Sequence, residues 1–139
     1  MLSTGMQIIL QLLGGAAGCA VFIHLARRYA PRIELRLYAV GLITAAFVYV
    51  TFLARGASLA WMALEVTGLV LFTLAALAGL KFSPWILAAG WAAHAAWDIV
   101  LHNLVETTFV PGWYPPACGG FDLLLAGYIA ARFSNKGAQ

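Results

Sequence analysis

Apolar residues in this chain come in long runs broken by short polar or proline-containing stretches. Five runs stand out: about Met6 to Leu25, ending in Arg27-Arg28; about Ile33 to Leu53; about Leu59 to Leu80; from Ser83-Pro84 to about Val105; and about Cys118 to Phe133. A bilayer core of ~30 Å takes about 20 apolar residues per helix, so the pattern predicts an all-α, polytopic membrane helix bundle with five transmembrane helices. Residues 1–139 form one domain. Pro84 suits the first turn of the fourth helix, where its missing N–H costs nothing. The fifth run is short and follows a loop, Val110-Pro-Gly-Trp-Tyr-Pro-Pro116; it spans by tilting its neighbours, thinning the bilayer or starting deep, or else is a half-inserted segment.

Composition agrees. Hydrophobic residues make up 63% of the chain and charged residues 9%, against about 25% charged in soluble domains. The net charge of +3 is a matter of topology rather than of an acidic partner. With five spans, Arg27, Arg28, Arg32, Arg36, Lys81, Arg132 and Lys136 fall on one side and Arg55 alone on the other. The positive-inside bias then puts the N-terminus outside and the C-terminus in the cytoplasm, with Trp113 and Tyr114 in the outer aromatic belt. No basic stripe with interleaved aromatics is present, which excludes nucleic-acid binding. Cys19 and Cys118 lie at different depths, so no disulfide is expected between them. The run Ala16-Ala17-Gly18-Cys19 resembles a lipoprotein processing site, but no Lys or Arg precedes it, and the expectation is no cleavage.

Three acidic residues, Glu65, Asp98 and Asp122, fall within the predicted spans. An ionisable group in hydrocarbon is costly and marks a functional site by default. Depth brings them together. The fourth span runs outward, so His102 is near its outer end, Asp98 a turn deeper and His94 a turn deeper again. On an α-helix an i, i+4, i+8 series drifts about 40° per step, so these three share a stripe. Glu65 lies about two turns below the outer surface on the third span, Cys118 at the outer end of the fifth, and Asp122 one turn below it. The expectation is a pocket open to the outer side with His94 at its floor.

Each residue also has a plainer reading. A lone His in a span commonly hydrogen-bonds a neighbouring helix, a lone Cys is commonly a small apolar filler, Asp98 and His102 make an i, i+4 surface pair, and Asp122 could cap the fifth helix. Their shared depth favours one site. His24, beside Arg27 and Arg28, reads as interfacial. Glu34 reads as part of a basic loop, paired with arginine, and Glu106 as a solvated helix end. Trp61, Trp91 and Trp97 fall within about a turn of the polar residues and are candidates to wall the site.

The stretch Gly90-Trp91-Ala-Ala-His94-Ala-Ala-Trp97-Asp98-Ile-Val-Leu-His102, with Val110-Pro111 and Cys118-Gly-Gly-Phe-Asp122, resembles DUF6010, a family of small bacterial integral membrane proteins of unknown function. The family pattern is Gly-Trp-x-x-His-x-x-Trp-Asp, a His pair, a Val-Pro loop and Cys-x-x-Cys-Asp. Leu101 stands where the first His of the pair is frequent, and Phe121 where the second Cys is frequent. The resemblance implies that these residues act as a unit in a bacterial cytoplasmic (inner) membrane. It implies no substrate.

Imidazole and carboxylate together suit zinc or iron. The leading reading is a divalent transition-metal site on His94, Asp98, His102, Glu65 and Asp122, with Cys118 as a further ligand. Its reaction would be metal-dependent hydrolysis or oxidation of a lipid-like or apolar substrate, with Asp98, Glu65 and Asp122 as the catalytic groups. The alternative is a metal-free acid–base enzyme of isomerase type using paired carboxylates. Two further readings are an ion or proton carrier or sensor, and a polar network that only holds helices together. A homodimer would suit a chain this small.

Overall fold

The computed structural model describes residues 1–105 and 107–134; Glu106 and Lys136, both read from the sequence above, lie outside the described residues. Five α-helices follow one another: α1 Thr4–Ala26, α2 Pro31–Phe52, α3 Leu59–Lys81, α4 Pro84–Trp97 and α5 Tyr114–Phe133. Among the described residues there is no strand. The helix starts follow local chemistry. Serine hydroxyls at Ser3, Ser58 and Ser83 accept from the backbone N–H of Met6, Trp61 and Trp85 and satisfy donors with no intrahelical partner. Pro31 and Pro84 stand in the first turns of α2 and α4, where proline fits. α2 ends in a 3-10 turn, Leu53–Arg55, closed by Gly56 at φ 100°, a conformation that favours glycine.

Two boundaries differ from the sequence expectation. α5 begins at Tyr114, with Pro115 and Pro116 inside its first turn, so it is longer than the run from Cys118. The fourth helix does not continue as an α-helix to Val105. It changes at Asp98 into a π-helical turn, Asp98–Asn103. Such turns close i→i+5 and are frequent at functional sites.

The burial pattern is inverted relative to a soluble protein. Glu34, Glu65, His94, Asp98, His102 and Asp122 are buried, while Leu13, Val21, Val70, Leu71, Leu74 and Leu77 are exposed. On α3 alone, the inward face is Glu65, Gly68, Phe72, Ala76 and Gly79, and the outward face is aliphatic. Outward-facing apolar surfaces of this extent mark contact with a partner or a membrane. α1, α2 with its 3-10 turn, and α3 are each long and apolar enough to cross a membrane.

Helix pairing sets the position of the site. α1 lies along α5, α5 along α4, α4 along α3 and α3 along α2, whereas α1 barely touches α2. The α1–α5 contact is close because glycines face backbone: a Cβ on Gly15 would collide with the Ala117 carbonyl, and one on Gly120 with that of Leu12. Small residues at such points let helices approach. The ring Trp91, Tyr38, Leu42, Leu87, Leu125 and Ile129 fills the centre, and the Trp91 indole N–H donates to the Tyr38 carbonyl at 3.2 Å.

Candidate metal centre

His94 projects inward from α4. Its Nδ1 lies 2.7 Å from Asp122 Oδ2 on α5 and 3.6 Å from Asp98 Oδ2 one turn along its own chain. Cys118, one turn before Asp122, brings its Sγ to 4.0 Å from His94 Nδ1 and 3.7 Å from both Asp122 oxygens. One donor atom from each of these four residues lies within 4.8 Å of every other, a grouping that could hold a metal ion. His94, Asp98 and Asp122 are fully buried; Cys118, at 9% exposure, stands at the edge.

The donor set is one imidazole nitrogen, two carboxylates and one thiol, which matches the ligands and the number that zinc takes and is also open to iron. Among the described residues no Lys or Arg pairs with Asp98 or Asp122; their only ion-pair partner is His94. Asp98 Oδ2 and His94 Nε2 are buried without a hydrogen bond. Buried polar atoms are normally satisfied, and an unpaired carboxylate oxygen facing three other donors fits a place for a cation.

Of the six expected ligands, the structure brings these four together. Glu65 and His102 form a pair beside them. His102 Nε2 is 2.7 Å from Glu65 Oε1, an ion-pair approach in which neither atom has an aligned hydrogen bond. The Trp97 indole N–H donates to Glu65 Oε2 at 3.4 Å. The physical reason for the division is the π-helical turn. With i→i+5 closure, four residues no longer complete a turn, so His102 leaves the line of His94 and Asp98 and meets α3.

Tyr49, near the end of α2, joins the two groups. Its hydroxyl donates to Asp98 Oδ1 at 2.5 Å, and its ring stacks on His102 at 4.3 Å between centroids. Tyr114 and Phe52 pack edge-on against it. Trp61 lies 5.5 Å from His102, and Phe72 stands edge-on to His94 at 4.8 Å. Sequence reasoning passed over Tyr49 because tyrosine in a span reads as packing. The available signal was a hydroxyl at the depth of the acidic residues, at the outer end of its span.

Two further expectations meet the structure elsewhere. Glu34 is in the first turn of α2 rather than in a loop, and it is fully buried. It accepts from the Tyr38 and Tyr128 hydroxyls at 3.0 and 2.9 Å and from Arg132 at 3.2 Å. Its arginine therefore comes from α5, not from the adjacent basic segment. His24 is exposed on α1 beside Arg28, away from the cluster. Both cysteines are free and buried.

A cavity of about 530 Å³ adjoins the cluster. α1 contributes Gly15, Gly18 and Phe22 to its wall, α2 the face from Leu37 to Val48, and α5 Cys118, Phe121 and Asp122. The four-residue cluster therefore borders this largely apolar space through two of its members, Cys118 and Asp122.

The model of a family described as a family of unknown function (DUF6010) matches residues 6–135. No curated protein and no solved structure matches the chain.

Proposed function

The chain belongs to the DUF6010 family of unknown function, and from its site we propose that it is a membrane-embedded metalloprotein, with zinc or iron on His94, Asp98, Cys118 and Asp122, acting on a lipid-like or apolar substrate. One observation carries the reading: four donors of three chemical kinds converge in a buried place without any Lys or Arg partner. Carboxylates crowded in a low-dielectric medium cannot all stay ionised without a compensating charge. A bound ion would supply that charge and a Lewis-acid centre.

The chain's own residues divide the remaining work. Tyr49 holds Asp98 Oδ1, which leaves Oδ2 turned to the other donors. Glu65 and His102 stand next to the cluster as a proton-exchanging pair, coupled to it through the Tyr49 ring. The catalytic assignment then narrows to Glu65 with His102 as acid and base, and Asp98 and Asp122 become ligands. Five spans in a bacterial cytoplasmic membrane, with the N-terminus outside, complete the proposal; the side-by-side packing of α4 and α5 with the three membrane-length helices supports it.

A second reading has its own support. His94 sits between two carboxylates, 2.7 Å from one and 3.6 Å from the other, an arrangement that could pass a proton between them without a metal. Elemental analysis separates the two. Protein purified without chelator is expected to carry about one zinc or iron per chain, and added metal to raise its melting temperature. If neither is seen, the metal reading fails and the acid–base reading takes its place.

A further inference from the structure

α1 and α2 are consecutive, yet they scarcely touch, because α1 lies against α5. The cavity occupies the resulting cleft. At 1.5 Å per residue, the wall from Leu37 to Val48 is ~16 Å long, about half of a ~30 Å hydrocarbon core. Residues 37–48 are centred on the middle of α2, Pro31–Phe52, so the slot straddles the centre of that helix. Its volume of about 530 Å³ falls in the range of small-molecule sites. Both flanking helices are of membrane-spanning length and composition, so whatever enters between them comes from the lipid phase.

The lining defines the occupant. Phe22, Leu37, Val40, Ala45 and Val48 offer only hydrocarbon. The polar groups of the lining are the Thr44 and Tyr114 hydroxyls, the Cys118 thiol, the Trp91 and Trp113 indoles and the fully buried Asp122 carboxylate, and no Lys or Arg lines the space. An anionic head, whether carboxylate or phosphate, would find no Lys or Arg in the lining to pair with. A neutral hydroxyl head can exchange hydrogen bonds with the Tyr114 hydroxyl and the Cys118 thiol. We propose that this cavity is a binding slot for a neutral, hydroxyl-bearing single-chain lipid, which enters from the membrane between α1 and α2 and presents its polar end to Tyr114 and Cys118, next to Asp122. The inference deepens the metal-site reading by naming its substrate class, and rests on that reading only for what happens at the polar end.

Gly18 supplies the test. It lines the cavity, and a Cβ placed on it meets nothing within 4 Å. Gly18→Leu therefore fills the slot without a backbone clash. Gly14→Leu adds the same side chain on the same helix, also with nothing within 4 Å of a Cβ, but away from the lining. The probe is a long-chain alcohol carrying a mid-chain diazirine, photolysed with the purified full chain in detergent. Labelling should saturate at one adduct per chain, map to residues 37–48 and 114–122, and be competed by unlabelled alcohol. A fatty acid of equal length and a diacyl phosphatidylglycerol should compete at least tenfold more weakly. Apparent affinity should fall at least tenfold in Gly18→Leu and in Ala45→Phe, a second blocking variant from the α2 wall, and stay unchanged in Gly14→Leu. Unsaturable labelling, equal labelling of blocked and control variants, or better competition by an anionic lipid overturns the slot. Metal content is read on the same samples. Gly18→Leu should keep its metal; saturable alcohol binding to a protein without metal would sink the metal reading and leave the slot standing.

Discussion

Tyr49 donates its hydroxyl hydrogen to Oδ1 of Asp98, while Oδ2 of the same buried carboxylate has no hydrogen-bond partner. One oxygen is thus anchored from α2 and the other left to the cluster. Outer groups that orient a ligand typically contribute 10–100-fold to metal affinity. Tyr49→Phe keeps the ring stack on His102 and removes only the hydroxyl. It should weaken zinc affinity about 10–100-fold and lower the stability of the metal-free protein by about 1–3 kcal/mol. Zinc titration and thermal melts check the two parts separately; unchanged affinity would show that the Tyr49 bond has no bearing on the site.

Asp122→Asn should abolish most of the stabilisation that metal gives. Without metal the substitution takes the carboxylate from its 2.7 Å contact with the buried His94 imidazole, so the protein should lose about 1–3 kcal/mol. With zinc at 100 times its dissociation constant, binding stabilises the wild type by about 2.7 kcal/mol, on the order of 10 °C for a chain of this size. The variant should lose most of that rise. A full zinc-dependent rise in Asp122→Asn would remove Asp122 from the ligand set.

The α1–α5 contact should depend on two glycines. Gly15 and Gly120 each face backbone of the opposite helix, so an added methyl cannot be absorbed by a side-chain shift. Gly15→Ala and Gly120→Ala should each cost about 1–3 kcal/mol. Gly14→Ala, beside Gly15 but facing open space, should be neutral or stabilising by roughly 0.5–1 kcal/mol. Denaturant unfolding in detergent micelles tests the contrast, and equal effects at Gly14 and Gly15 would contradict this packing.

Orientation is open to a labelling test. Ala54 and Ala30 are exposed at opposite ends of α2, and Ala30 caps that helix without a side-chain bond. In intact cells a membrane-impermeant maleimide should label Ala54→Cys and not Ala30→Cys, because both native cysteines are buried. The reverse pattern would invert the topology and place the metal cluster near the cytoplasmic face.

Hydrophobic runs located the starts of all five helices to within four residues, but α4 ends at Trp97 rather than near Val105. The runs did so because helix length in a membrane is set by composition along the axis. Depth was legible for the same reason: a fixed rise per residue put Glu65, Asp98, His102, Cys118 and Asp122 near one level, with His94 deeper, before any contact was known. What lies around each axis was not legible. Whether α1 pairs with α5 or with α2 depends on where Gly15 and Gly120 let backbones meet, and that pairing opens the cavity. The π-helical turn at Asp98 rotated His102 away from His94 and gave it to Glu65. Tyr49 reached Asp98 and Arg132 reached Glu34 across 49 and 98 positions of sequence. Axial position follows from local sequence, but rotation and partner choice are decided by side-chain packing between helices, and only the tertiary structure contains it.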